Sequence, residues 1–315
     1  MAGYGGFAHL GLKKETEWGT AVSVDTYVPF ISESLVKDIE QIMDSEVRAY
    51  REEPPQYPGI SQVRGDIVFA VRPATIGYFL RSVLGAPVTT GGSPNYTHAF
   101  LPATTAFADV CFLPPYTFEI HRDLASAFQY AGCVVDSLQL EMGVGQKIMR
   151  CTASILGKSV TLIAKTSPTL DATNPFLWSE ASATIGGGGV TQVESFSVKF
   201  SNNLEGVVTL NGSSALGAIG LNGPLNCDIN MTLNCLDLTE YNRYIAQSQN
   251  AMVLTVTKDA NTEIKIETAK LLYTAFPVNV GGPNRLSVGI TGKAKYDATL
   301  GGALKVTLKN AVSAY

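Results

Sequence analysis

The end of this chain repeats an earlier part of it. Residues 148–158 read IMRCTASILGK and residues 283–293 read PNRLSVGITGK, so Arg150, Ile155, Gly157 and Lys158 recur as Arg285, Ile290, Gly292 and Lys293 at a constant offset of 135. Leu138-Gln139-Leu140 and Leu271-Leu272-Tyr273 precede the two copies, and a strand-like run precedes each of those, YTFEI at 116–120 and MVLTV at 252–256. Self-similarity at that spacing predicts two related folding units in tandem rather than one enzyme core.

The local pattern is that of β-structure. Leu138, Leu140 and Met142 alternate with Ser137, Gln139 and Glu141, and Phe196, Val198 and Phe200 alternate with Ser195, Ser197 and Lys199. Ile229, Met231, Leu233 and Cys235 alternate with Asp228, Asn230, Thr232 and Asn234; Leu304, Val306 and Leu308 alternate with Lys305, Thr307 and Lys309. A period of two puts one face of a sheet on a core and the other in water. Turn residues punctuate the runs, as at Asn202-Asn203, Asn222-Gly223 and Lys258–Asn261. The expected class is mainly β and antiparallel: two tandem sandwich or barrel-like units, each with one short flanking α-helix.

The helices are expected at equivalent places. In the first, Ile76, Phe79, Leu80, Val83 and Leu84 share a face, Pro73 lies just ahead and Gly85 suits the C-terminal cap. In the second, Asp237 caps, Glu240 closes a capping box and Leu238, Tyr241 and Ile245 form the apolar stripe. Helix to helix the offset is about 161 instead of 135, which places roughly 26 extra residues in the first unit. The Gly/Pro/Thr-rich stretch 86–115 is the expected insertion. The units expected are residues 1–165 and 191–315, with 166–190, including the glycine run Gly186–Gly189, as connector.

Charge and cysteine content narrow the function. Only 16% of residues are charged against 45% hydrophobic, so an unusual share of surface is buried within the units or against neighbouring subunits. A net charge of −4 argues against a basic DNA-binding surface. The acidic excess falls in residues 1–150, with 16 acids against 11 bases. Five cysteines, odd in number and without CxxC spacing, read as buried reduced thiols in a reducing cytosol. Neither a secretory start nor a run long enough to span a membrane is present, so no membrane partner is expected.

Signals for catalysis are weak. His121-Arg122-Asp123 lacks the companion motifs of a kinase, and Gly143–Lys147 lacks the spacing of a phosphate loop. His9, His98 and His121 show no ligand spacing, and no Ser/His/Asp set suggests itself. The matches to the N-glycosylation pattern at Asn95, Asn211 and Asn230 carry nothing without export. No enzyme activity, cofactor or metal is expected. A carbohydrate-binding or hydrolytic sandwich would need clustered Trp or paired carboxylates, and only Trp18 and Trp178 exist. A surface adhesion module would need export.

The segment GLKKETEWGTAVSVDTYVPFISESL (11–35), then Val47-Arg48, then Gly65-Asp66-Ile67 and the helix Ile76–Gly85, resembles the tail tube proteins of tailed bacteriophages, in the long-chain group of that family. The resemblance implies sandwiches whose long strand pairs join side by side into a ring lined by a closed barrel, with rings stacked into a tube that conducts DNA. It implies self-association, favouring a pseudo-sixfold trimer, with a hexamer as the alternative. It also implies tail terminator and tape measure proteins as partners, and a sheath where the tail is contractile. The place implied is the virion tail, assembled in the host bacterial cytoplasm. The inner tube of a contractile device that carries protein is an alternative in the same class.

Ring closure would remove exposed strand edges, and a conduit for DNA should be acidic or neutral so as not to hold phosphate. The expected lumen pairs are 34–50 with 62–72 and 192–206 with 223–235. Candidate inward side chains are Asp38, Glu40, Asp44 and Asp66 in the first, and Asn202, Asp228, Asn230, Thr232 and Asn234 in the second. The same residues also fit the solvated face of a plain sandwich. Candidate subunit or ring contacts are Trp18 in the N-terminal arm 1–20, Arg48, Arg51 and Arg64, Glu52 and Glu53, and Tyr57 at the tip of a proline-stiffened loop over 51–63.

Overall fold

The computed structural model describes residues 3–235, 237–280, 282–283 and 285–315. Met1 and Ala2 of the N-terminal arm and Asn284 of the repeat lie outside the described residues. The chain is mainly β, with large antiparallel sheets and two helices among the described residues. The first half holds β1 (His9–Lys14), β2 (Thr26–Val28), β3 (Ser32–Glu33), β4 (Val36–Met43) and β5 (Gln56–Ala70), then α1 (Ile76–Leu84). It continues with β6 (Val88–Gly92), β7 (Asn95–Phe100), β8 (Tyr116–His121), β9 (Ala127–Gly143), β10 (Arg150–Gly157) and β11 (Ser159–Ile163). The second half holds β12 (Ala181–Ile185), β13 (Gly188–Gly189), β14 (Val193–Ser201), β15 (Leu204–Val207), β16 (Ala218–Leu221) and β17 (Asn226–Asn234). After α2 (Thr239–Ile245) come β18 (Asn250–Asp259), β19 (Thr262–Ala275), β20 (Ser287–Ala294) and β21 (Lys305–Asn310).

The pairing order recurs. In the first half β1 pairs β8, β8 pairs β9, β9 pairs β10 and β11, β10 pairs β5 and β5 pairs β4. In the second, β12 pairs β18, β18 pairs β19, β19 pairs β20 and β21, β20 pairs β17 and β17 pairs β14. All of these pairings are antiparallel, and α1 and α2 follow β5 and β17. The halves are joined edge to edge, because β9 also pairs β14. One sheet therefore runs β4–β5–β10–β9–β14–β17–β20 across the whole chain. The stretch 86–115 contributes the β6–β7 hairpin, and β7 pairs β21 of the other half.

The apolar alternates of this sheet meet α1. Phe69 and Phe79 pack with ring centroids 4.4 Å apart at a tilt of 35°, and Phe79 reaches Phe118 at 6.1 Å. Gly85 ends the helix at φ 108°, its N–H donating to the Arg81 carbonyl at 2.9 Å, as the cap rule predicts. Gly65 is required by close approach. Its φ is 149°, and a Cβ there would lie 2.4 Å from the Ser34 carbonyl oxygen, where the chain crosses from β3 to β4.

Several expectations are corrected. The turn of the first strand pair is 44–55, not 51–63, because β5 starts at Gln56 and pairs Tyr57 with Ile42. Gly186–Gly189 is not a loose joint. Gly186 and Gly187 take φ of 61° and 81° in a tight turn that pairs β12 with β13. Asp237 does accept the Thr239 N–H at 2.8 Å, but Glu240 turns inward and accepts the Tyr273 hydroxyl at 2.6 Å, so no capping box forms. Leu238 and Ile245 are exposed; Tyr241 and Tyr244 pack on Phe276 instead.

Buried polar groups tie the ends of the sheet. Glu15 accepts from Thr117 Oγ1, Gly132 N and Gly19 N at 2.8 Å each, and burial pushes its carboxyl pKa up. Glu119, buried between β1 and the 164–170 segment, accepts from Thr166 N and Oγ1 at 3.0 and 2.7 Å and lies 3.5 Å from His9 Nε2. All five cysteines are free, and burial pushes the Cys111 and Cys227 thiols up to about 12, which leaves them inert.

His9 carries a pH dependence. Burial holds its imidazole below the ordinary 6.5, with His121 and Lys165 adding to the effect and Glu119 opposing it. The folded state prefers neutral His9, so its contribution is full above 6.5 and is lost as the pH falls through the lowered folded value. Urea midpoints measured from pH 7.5 to 5 should fall with pH, and His9→Asn should flatten that slope. Identical slopes would contradict the assignment.

A polar sheet face as the candidate functional surface

Alternation divides the continuous sheet into an apolar and a polar side. Val63, Ile67 and Phe69 of β5, Leu138 and Leu140 of β9, Phe196 to Phe200 of β14, and Ile229 to Leu233 of β17 put their apolar alternates in the core. The intervening residues form cross-strand rows on the opposite face. One row reads Asp66, Ser154, Ser137, Ser201, Asn226. The next reads Val68, Thr152, Gln139, Lys199, Asp228, Lys293, and a third Ala70, Arg150, Glu141, Ser197, Asn230, Thr291. Beyond it lie Gly143, Ser195, Thr232 and Gly289.

This face is hydroxyl- and amide-rich, and its charges offset one another. Lys293 Nζ is 3.3 Å from Asp228, Ser154 donates to Asp66 Oδ1 at 2.6 Å, and Gln146 and Gln139 donate to Glu141 at 3.1 and 3.4 Å. Four acids, Asp38, Asp66, Glu141 and Asp228, share it with four bases, Arg64, Arg150, Lys199 and Lys293. A passing polyanion meets alternating signs rather than a basic groove, so this face offers no run of cations to replace the counterions condensed on DNA.

The expected inward residues divide. Asp66, Asp228, Asn230, Thr232 and Asn234 lie on the polar face, and Asp38 joins them through its register with Gln62. Asn202 does not. It is buried and its side-chain N–H donates to the Val83 carbonyl at 2.9 Å, satisfying the C-terminal end of α1. Asp44 lies past the end of β4 and pairs with Arg48, and Glu40 accepts the Ile60 N–H at 3.2 Å beside a bulge in β4. The residues missed are those of β9 and β10 in the first half and of β20 in the second, together with Lys199. Their signal was present in the Ser/Gln/Glu and Ser/Lys alternates, but which strands share a sheet depends on long-range pairing.

The expected contact residues also divide. Trp18 is a correction: it is 6% exposed, its indole N–H donates to the Gly132 carbonyl at 3.0 Å, and Lys158 Nζ lies 4.5 Å over its ring. Its ring serves the chain's own core. Arg51, Glu52 and Glu53 are exposed in the 44–55 turn, and Tyr57 is half exposed on β5. Arg48 pairs with Asp44 and Glu46, and Arg64 donates to Gln62 Oε1 at 3.2 Å on the polar side of β5.

The His121-Arg122-Asp123 triplet lies away from this surface. His121 is buried, Arg122 grips Glu33 through two hydrogen bonds of 2.7 and 2.8 Å, and Asp123 accepts the Tyr4 N–H at 2.8 Å, so that triplet works inside the fold. Among the described residues no group of three or more potential metal ligands forms, and no helix is long and apolar enough to cross a membrane. A search of curated proteins finds no match to this chain. A family model described as phage tail tube protein matches residues 8–300, nearly the whole chain. The chain therefore belongs to the phage tail tube protein family.

Proposed function

We propose that this protein closes with copies of itself into rings that stack into a hollow tail tube, with the polar sheet face lining the bore through which DNA is ejected. Family membership makes it a structural component of the phage tail. The observation that carries the finer reading is the polar face itself, continuous over both halves of the chain and ending at β4, whose outer edge is open among the described residues. A sheet that spans one chain and keeps an open edge calls for a neighbour, and closure into a barrel supplies one.

The recurring pairing order supports two tube units, the first near 1–165 and the second taking in β12 from Ala181 onward, so that three chains would give a pseudo-sixfold ring. Six chains per ring is the alternative that mass measurement of isolated rings decides. Tail terminator and tape measure proteins are the proposed partners, with a sheath in a contractile tail, and assembly is proposed in the host cytoplasm. The subunit's role is structural, with no catalytic step.

The charge balance supplies a test of cargo. Ser197→Lys with Asn230→Lys adds two cations per chain to the polar face while leaving the apolar alternates intact. Tubes should still form, while DNA release from particles carrying the variant should slow at least about tenfold at low salt and recover as salt rises. Unchanged release would place this face away from the DNA path, and a tube that carries protein would be the reading favoured.

A further inference from the structure

β9 and β19 hold matching places in the recurring pairing order but end differently. β9 runs 17 residues and β19 runs 14. From Ser137 to Glu141, β9 is paired on both sides, by β10 and by β14. β19 carries β20 on one side from Leu271 to Ala275, while on its β18 side the last pairing among the described residues is Leu271 with Asn250. The edge that β14 occupies on β9 is thus open on β19. It is here that the second strand stops. Residues 144–149 suffice to join β9 to β10, whereas 276–286 join β19 to β20.

The two open edges suit each other. Val278 and Val280, beyond the end of β19, are 39% and 83% exposed. At the far end of the same sheet, all eight residues of β4 are exposed, including Val36, Ile39, Ile42 and Met43 at 41–57%. Among the described residues β4 pairs β5 alone, and it stands to β5 as β14 stands to β17. The β9–β14 junction inside one chain is therefore a template for a junction between chains. Apolar side chains spread along an unpaired strand are an aggregation hazard unless a defined partner covers them.

The geometry points to residues 276–280 as an unfinished strand that extends β19 only when β4 of a second copy pairs along it, antiparallel, as β14 pairs along β9. This inference rests on the tube reading above and names the element by which one subunit meets the next. Pro277 has no N–H to donate, but its carbonyl and the backbone groups of Phe276 and Val278–Val280 would pair with the open edge of β4, and the valines would lie against the apolar residues of β4.

Hydrogen exchange on the full chain, dispersed and assembled, tests it. Amides in 278–280 and alternate amides in 36–43 should slow at least about hundredfold on assembly. A disulfide trap fixes the partner. With Cys235→Ser as background, Val278→Cys combined in turn with Val36→Cys, Asp38→Cys, Ile39→Cys, Glu40→Cys or Ile42→Cys should give, for at least one pair, covalent chains of successive subunits on oxidation. Rings or tubes in which 278–280 exchange as in the dispersed protein overturn this inference and leave the tube reading standing. Protection without any cross-link to β4 positions 36–42 also overturns it. A protein that stays monomeric at every concentration overturns both.

Discussion

Replacing Met231 with proline should leave neither soluble protein nor tubes. Met231 is buried in β17, where it pairs Phe196 of β14 on one side and Ile290 of β20 on the other. Proline removes an N–H from a ladder that has strands on both sides, orphans a buried carbonyl at a cost of about 1–3 kcal/mol, and forces its ring between neighbours that cannot move apart. The damage falls where the sheet passes from one half of the chain to the other. Soluble yield, far-ultraviolet circular dichroism and electron micrographs of the variant read it directly. Normal tube yield would show that β17 is not a central strand.

Phe69→Ala should destabilise the dispersed subunit by about 3–5 kcal/mol, since a fully buried ring packed against Phe79 leaves a cavity the surrounding sheet cannot close. In a chain of 315 residues that corresponds to a fall in Tm of roughly 1.5 °C per kcal/mol. Ile39→Ala is the informative contrast. Ile39 sits exposed on β4, so its loss should change dispersed-state stability by no more than about 0.5 kcal/mol and yet weaken assembly. Calorimetry of the two variants beside a sedimentation assay of tube formation separates residues that hold the subunit together from residues that hold subunits to one another. A Tm for Phe69→Ala within a degree of the parent would remove Phe69 from the core.

The two kinds of residue differ in how legible they were. Strands with one face in the core announced themselves: residues 137–142, 195–200 and 227–234 alternate strictly, and each proved to be a strand of the continuous sheet. α1 was equally clear, because a nine-residue apolar stripe followed by glycine has few other solutions. What the pattern could not carry was identity of neighbours. Asn202 looked like any polar turn residue, yet it is drawn inside by the carbonyl that ends α1. Trp18 looked like an exposed anchor, but the glycine at 132 opens a carbonyl to its indole from 114 residues away. Glu240 fitted a capping box until the hydroxyl of Tyr273, on a strand still to come, competed for it.

Pro54 and Pro55 illustrate the same limit in the backbone. They suggested a loop running on to 63, whereas the strand begins right after them at Gln56 because β4 offers it a partner. The polar face was half visible for a related reason. Two strands per half were identified as candidate lining, and the other two became recognisable only once β10 and β20 were seen bridging β5 to β9 and β17 to β19.

The most direct measurement is a helical reconstruction by electron cryomicroscopy of tubes grown from the purified chain. The account predicts a hollow tube in which Gln139, Ser197, Lys199, Asp228 and Asn230 face the bore and β4 of each copy borders β19 of the next. Tubes whose bore is walled by other residues, with this sheet face turned outward to solvent, would contradict it.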